Sequence, residues 1–147
     1  MNAFTEKQPM STAISVMFFD TDAAGVVHNI AYLRFIETAR TLLALEYGMD
    51  WAFMKETQIY PVIVRTEIDY RRPALLGDAL VIKAWLGETS AARFWCHFKI
   101  ERPSDGALLV TCQQSLAFVK MPEGKVQRLP EGFPKPFVPR ISLPSAH

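Results

Sequence analysis

The sequence predicts an α+β fold in which a curved antiparallel sheet of about five strands wraps one long central helix. Three observations lead there. Helical periodicity is strong in one long stretch, near residues 30–47. Beyond Pro61 the apolar period falls from about 3.6 to 2 and holds through four long segments. The connections between those segments are short and turn-forming, which suits antiparallel neighbours and leaves no room for crossover helices. With 147 residues, 50% of them hydrophobic, the chain is long enough for one ordinary core. A single domain over 1–147 is expected, with its core at roughly 12–120 and a tail at 121–147.

In chain order, residues 1–11 read as a frayed start. The alternation of Ile14, Val16 and Phe18 against Ser15 and Met17 predicts a short strand with one face buried. It runs into Asp20-Thr21-Asp22-Ala23-Ala24-Gly25, whose aspartates and glycine favour a turn. The helix follows from Ile30 to Tyr47, with Tyr32, Ile36, Ala39, Leu43 and Tyr47 at spacings of three and four. Asn29 is the expected N-cap and Gly48 the expected stop. Leu33, Phe35, Leu42 and Leu45 widen the apolar stripe, so this helix, about 27 Å long, is expected to be mostly enclosed. Residues 50–57 add one or two helical turns before Pro61 resets the backbone.

Strands are then predicted where Val64, Thr66, Ile68 and Tyr70 alternate with Arg65, Glu67, Asp69 and Arg71. Leu80, Ile82 and Ala84 alternate with Val81, Lys83 and Trp85, and Phe94, Cys96, Phe98 and Ile100 with Arg93, Trp95, His97 and Lys99. Trp85 and Trp95 fall on the faces opposite the core, where subunit contact would account for them. Residues 107–119 form a fourth long strand. From Met121 onward lie six of the ten prolines, too many for a regular element, so the tail is expected to wrap an outer surface or to move freely.

Sixteen basic against fifteen acidic side chains leave a net charge of +1, which supplies no field to attract nucleic acid. No apolar run suggests a membrane span, and MNAFTEKQPM has no leader-like pattern, so a cytoplasmic protein is expected. Cys96 and Cys112 read as reduced, buried thiols. Histidines occur only at 28, 97 and 147, with no metal-ligand spacing, no G-x-S-x-G elbow, no phosphate-binding loop and no dinucleotide fingerprint. Metal or redox cofactors are not expected.

What remains is the polar junction 19–29, directly ahead of the buried helix. Amides in the first helical turn near Asn29 are suited to hold a developing oxyanion. The nearby Asp22 carboxylate is suited to attack a carbonyl carbon or to activate water. Acyl transfer is the chemistry these groups support, although aspartates before a helix also serve simply as turn formers or caps.

The stretch D-T-D-A-A-G-V-V-H-N-I-A-Y (20–32), continuing through Y-L-R-F-I-E-T-A-R (32–40) and again at I-D-Y-R-R-P-A-L-L-G-D (68–78), resembles the hotdog-fold acyl-CoA thioesterases, specifically the 4-hydroxybenzoyl-CoA and YbgC-like branch. That resemblance implies hydrolysis of an acyl-CoA thioester by a homodimer, with sites formed between subunits and often a dimer of dimers. It implies Asp22 as the catalytic carboxylate, the Asn29 backbone as the carbonyl-polarising amide, and Gly25 as the glycine permitting the turn and close substrate approach. YbgC-like members carry a histidine where Asn29 stands and a tyrosine where Phe18 stands; here the imidazole is His28, one position earlier. His28 lines the acyl pocket, supplies a proton or makes a structural bond, and Tyr32 borders the acyl group or packs in the core. Arg71, Arg72 and Arg93 are candidate contacts for coenzyme A phosphates, together with a tail that carries a local +3 from Lys120 onward. Two alternatives accompany this reading: an enoyl-thioester hydratase or dehydratase using His28 and Asp22, and a non-catalytic acyl-CoA-binding module.

Overall fold

The computed structural model describes residues 4–134. In chain order it contains β1 (Met10–Ser15), a single 3-10 turn (Phe18–Asp20), α1 (Asn29–Glu46), α2 (Trp51–Thr57), β2 (Ile59–Tyr70), β3 (Ala79–Thr89), β4 (Phe94–Arg102), β5 (Ala107–Lys120) and β6 (Lys125–Gln127). All strand pairs are antiparallel, in the order β1-β3-β4-β5-β2, with β6 pairing to β5. β1 and β2 therefore form opposite edges of the main ladder, and the helical segment between them in sequence crosses one face of the sheet. This is the hotdog arrangement.

The helix crosses there because its apolar stripe has nowhere else to go. Ala31, Tyr32, Phe35, Ile36, Ala39 and Leu43 are buried, spaced by one, three or four residues. They meet an inner sheet face on which Leu80, Ile82 and Ala84 of β3 and Phe94, Cys96, Phe98 and Ile100 of β4 alternate with less buried neighbours. The stripe is narrower than expected. Ile30, Leu33 and Leu42 remain exposed, so α1 is covered along one face within this chain, not enclosed.

Several boundaries differ from the sequence reading for identifiable reasons. The first strand lies at Met10–Ser15 and not at 14–18, because residues 18–20 are wound into the 3-10 turn. The helix cap is His28, with Asn29 as the first helical residue; the His28 Nδ1 accepts a hydrogen bond from the Ala31 amide at 3.2 Å. Gly48 ends α1 as expected, at φ +84°. In β2 the predicted alternation fails because the register slips between Ile63 and Arg65, leaving Val64 as the extra residue of a bulge. The tail is more regular than its prolines suggest, since Lys125–Gln127 pairs with Phe118–Lys120. The rest of the tail, from 135 on, lies outside the described residues.

On the outer face, Trp85 is half-buried by its own chain. It stacks on His97 with ring centroids 5.6 Å apart, and the Lys99 ammonium lies 5.7 Å from its ring. The two cysteines are free and buried.

Because Ile36 is fully buried against the sheet, Ile36→Ala is expected to lower stability by about 2–5 kcal/mol, read from chemical denaturation.

Candidate active site

A small closed loop delivers Asp22 to the start of α1. Thr21 and Val27 form an isolated antiparallel bridge, and the Asp22 amide donates to the Val26 carbonyl at 2.9 Å. Within the loop, the Asp22 Oδ1 accepts from the amides of Ala24, at 2.9 Å, and Val26, at 3.3 Å. Gly25 turns the chain at φ +76°, a conformation that explains the residue without invoking a neighbour, since a Cβ there would meet nothing within 4 Å. The carboxylate is thus both a turn former and a held anion. Both bonds fall on one oxygen, and the side chain remains exposed in the single chain.

The loop is anchored from below by its other aspartate. Asp20 is only 3% exposed. Its Oδ2 accepts from the Met17 amide at 2.9 Å and its Oδ1 from Arg34 of α1 at 3.2 Å, while its carbonyl accepts from the His28 amide at 3.0 Å. Spacing alone gave no reason to separate the two aspartates; the pairing of Asp20 with Arg34, 14 residues onward on the helix, is a tertiary fact.

A second support comes from the segment after β2. The Val27 amide donates to the Ala74 carbonyl and the Leu76 amide to the Gly25 carbonyl. Arg102 clamps that segment. It donates to Pro73 O and Asp78 Oδ2 with one nitrogen and forms an ion pair with Asp105 at 3.0 Å with another. Sequence reasoning missed this arginine, whose only local signal was Asp105 three residues later.

The remaining expected site residues divide. His28 stands opposite Asp20 at the base of the loop, its amide donating to the Asp20 carbonyl at 3.0 Å, and its Nδ1 is committed to capping α1. Asn29 is exposed in the first turn of α1, where backbone amides precede the first intrahelical acceptor. Tyr32 is 3% exposed. Its hydroxyl accepts from the Ala74 amide at 2.9 Å, its ring tilts against Tyr70 at 5.4 Å, and burial raises its pKa. It packs in the core and holds the 74–76 segment beneath the Asp22 loop. Arg71 and Arg72 are exposed at the same end of the molecule, their amides bonded to the Leu109 carbonyl. Arg93 lies just before β4, at the opposite end from Arg102, about 30 Å away by strand length. Within one chain it does not reach the Asp22 loop. Two cavities among the described residues are lined by side chains other than Asp22, His28, Asn29 and Tyr32.

Around the loop, apolar side chains stand open to solvent. Phe18 is 81% exposed, and Met17, Phe19, Ile30, Leu75 and Leu76 are exposed as well. They come from three segments that the loop's own bonds draw together. So many open apolar side chains in one place are uncommon on the surface of a single chain. The sequence had assigned Phe18 to a buried strand face.

Residues 16–137 match the thioesterase-like superfamily. The chain belongs to that family. It is 32% identical over 127 residues to the acyl-CoA thioesterase YbgC of Haemophilus influenzae, covering 85% of this chain and 88% of the relative. It is also 29% identical over 117 residues to the 1,4-dihydroxy-2-naphthoyl-CoA hydrolase of Synechocystis, covering 79% and 85%. Among solved structures, a probable thioesterase from Bartonella henselae superposes with a TM-score of 0.76 at 28% identity, over 83% of this chain and 99% of that one. This member of the thioesterase-like superfamily therefore shares its fold with these relatives. Among the described residues no His, Cys, Asp and Glu side chains gather into a group of three or more that could hold a metal ion, and no helix is long and apolar enough to cross a membrane.

The Arg102 guanidinium holds the Asp105 carboxyl below its ordinary value near 3.8. A carboxyl depressed in the folded state contributes stability above its unfolded pKa and loses it as pH falls through the folded one. Arg102→Met is therefore expected to lower the thermal midpoint near neutrality. The gap to the parent should hold from about pH 7 down to the ordinary carboxyl value of 3.8 and narrow below it, as the pH falls through the depressed folded value, followed by circular dichroism.

Proposed function

We propose that the protein hydrolyses acyl-CoA thioesters to a free acid and coenzyme A. The feature that supports this reading is the Asp22 carboxylate, held by its own turn in the loop that leads into α1, seven residues ahead of Asn29. Asp22 acts as nucleophile or as general base toward water, and the amides around Asn29 stabilise the oxyanion that forms on the thioester carbonyl. Either route needs only an ionised carboxylate and water, so the proposed reaction draws on no metal or redox cofactor. The relatives' names, a YbgC acyl-CoA thioesterase and a dihydroxynaphthoyl-CoA hydrolase, support the substrate class.

The working unit in this proposal is a homodimer, assembling further as a dimer of dimers. β2 is a twelve-residue strand at the edge of the sheet with Val62, Ile63 and Val64 exposed, a surface suited to a second copy. A partner there, together with the open apolar side chains around residues 17–19, 30 and 75–76, would complete a pocket beside Asp22 that one chain leaves open. Arg71 and Arg72 are the coenzyme A phosphate contacts of this reading; Arg93 serves only if it comes from the partner copy. Two free, buried thiols support a cytoplasmic setting.

Asp22→Asn tests the assignment cleanly because asparagine keeps an Oδ1 to accept from Ala24 and Val26, so the turn persists while the charge is lost. The expected result is a fall in kcat of about 100- to 10,000-fold with the melting temperature preserved, measured by thiol release from aliphatic and aryl acyl-CoAs. Near-parent turnover in the folded variant would sink the role given to Asp22. Loss of an enoyl-CoA chromophore without thiol release would point to hydration instead.

A further inference from the structure

An apolar cavity of about 310 Å³ opens between the C-terminal half of α1, α2 and the sheet. Leu43, Tyr47, Phe94, Leu116 and Phe118 line it, and among the described residues Arg40 is the one charged side chain on its wall. Arg40 lies 11 residues past Asn29, about 16 Å along the helix axis, so within this chain the cavity is separate from the Asp22 loop.

The charge of Arg40 is poorly answered from inside. Its side chain is only 17% exposed, and Nη1 donates to the neutral Gln114 Oε1 at 2.8 Å. Gln114 in turn donates to Thr66 Oγ1 at 3.2 Å. The nearest carboxylate, Glu37, is 3.6 Å away and 66% exposed, on the solvent side of the helix. A half-buried guanidinium favours an anionic partner with a planar pair of acceptors, and a carboxylate has that geometry.

We propose that this cavity binds a free monocarboxylic acid with an apolar body, its carboxylate on Arg40 and its tail among Leu43, Phe94, Leu116 and Phe118. The volume sits at the small end of the roughly 300–1,000 Å³ typical of ligand pockets, which selects a medium chain or a single aromatic ring. This claim about binding stands apart from the hydrolase reading. Joined to that reading, it makes the released acid a ligand of the enzyme that forms it.

Titration calorimetry of the full chain with hexanoate, octanoate, decanoate and decanol tests the proposal. Decanoate should bind saturably, with affinity rising about fourfold per methylene from hexanoate until the space is filled. Asp22→Asn should leave this binding unchanged. Arg40→Gln should weaken decanoate by about tenfold to a hundredfold while leaving decanol unaffected, and Arg40→Lys should recover part of the loss. Ala44→Phe, which fills the cavity away from the Arg40 partners, should remove both ligands; thermal melts establish that each variant is folded. The proposal is overturned if decanoate binds no better than decanol, or if Asp22→Asn abolishes binding, which would make the cavity an arm of the thioester site. It is equally overturned if the full chain binds nothing while a chain ending at Pro134 does, which would make residues 135–147 the occupant.

Discussion

A buried carboxylate governs the passage from β1 into α1. Asp20 collects the Met17 amide, the Arg34 guanidinium and, through its carbonyl, the His28 amide, so one residue joins the end of the first strand, the 3-10 turn and the helix cap. A carboxylate removed from water needs such partners, and each bond it gains fixes a backbone direction. With those directions set, the 21–27 loop closes on itself, Val27 reaches the 74–76 segment, and the Asp22 side chain is presented at a defined point ahead of the helix. The two aspartates of one short motif thus divide the labour: the inner one is structural and the outer one is presented.

The periodic parts of the fold were legible in the sequence because periodicity reports burial on one face. β3 and β4 show this directly: every predicted inner residue of Leu80, Ile82, Ala84, Phe94, Cys96, Phe98 and Ile100 is buried. β2 was misread in phase because a bulge at Val64 inserts a residue without leaving a compositional mark, and because an edge strand is under weaker pressure to alternate. The helix cap was misplaced by one position because asparagine is the commoner cap, whereas here an imidazole nitrogen fills that role. The Asp22 loop was legible as a turn ahead of a helix. The roles of Asp20, Tyr32 and Arg102 around it were not, since each depends on a contact between residues distant in sequence or on a side chain's burial.

The surface of the single chain is uneven in a way that bears on assembly. The outer face of the sheet covers its aromatic residues with its own neighbours, as Trp85 does with His97 and Lys99. Gly87 leaves the space that ring requires: a Cβ there would fall 2.3 Å from the His97 Nε2. Among the described residues, the end of the molecule around the Asp22 loop has no such cover. Phe18, Phe19, Ile30, Leu75 and Leu76 are held open by a well-bonded backbone, which separates a prepared surface from a loosely folded one.

The buried cysteines have a consequence for a protein whose proposed product is itself a thiol. Burial pushes both Cys96 and Cys112 up to about 12, so neither supplies a thiolate near neutral pH. Exchange with disulfides begins with a thiolate at an accessible sulfur. Oxidised coenzyme A accumulating under stress would therefore find no handle on the folded chain, and the protein would pass through redox excursions without becoming a mixed disulfide.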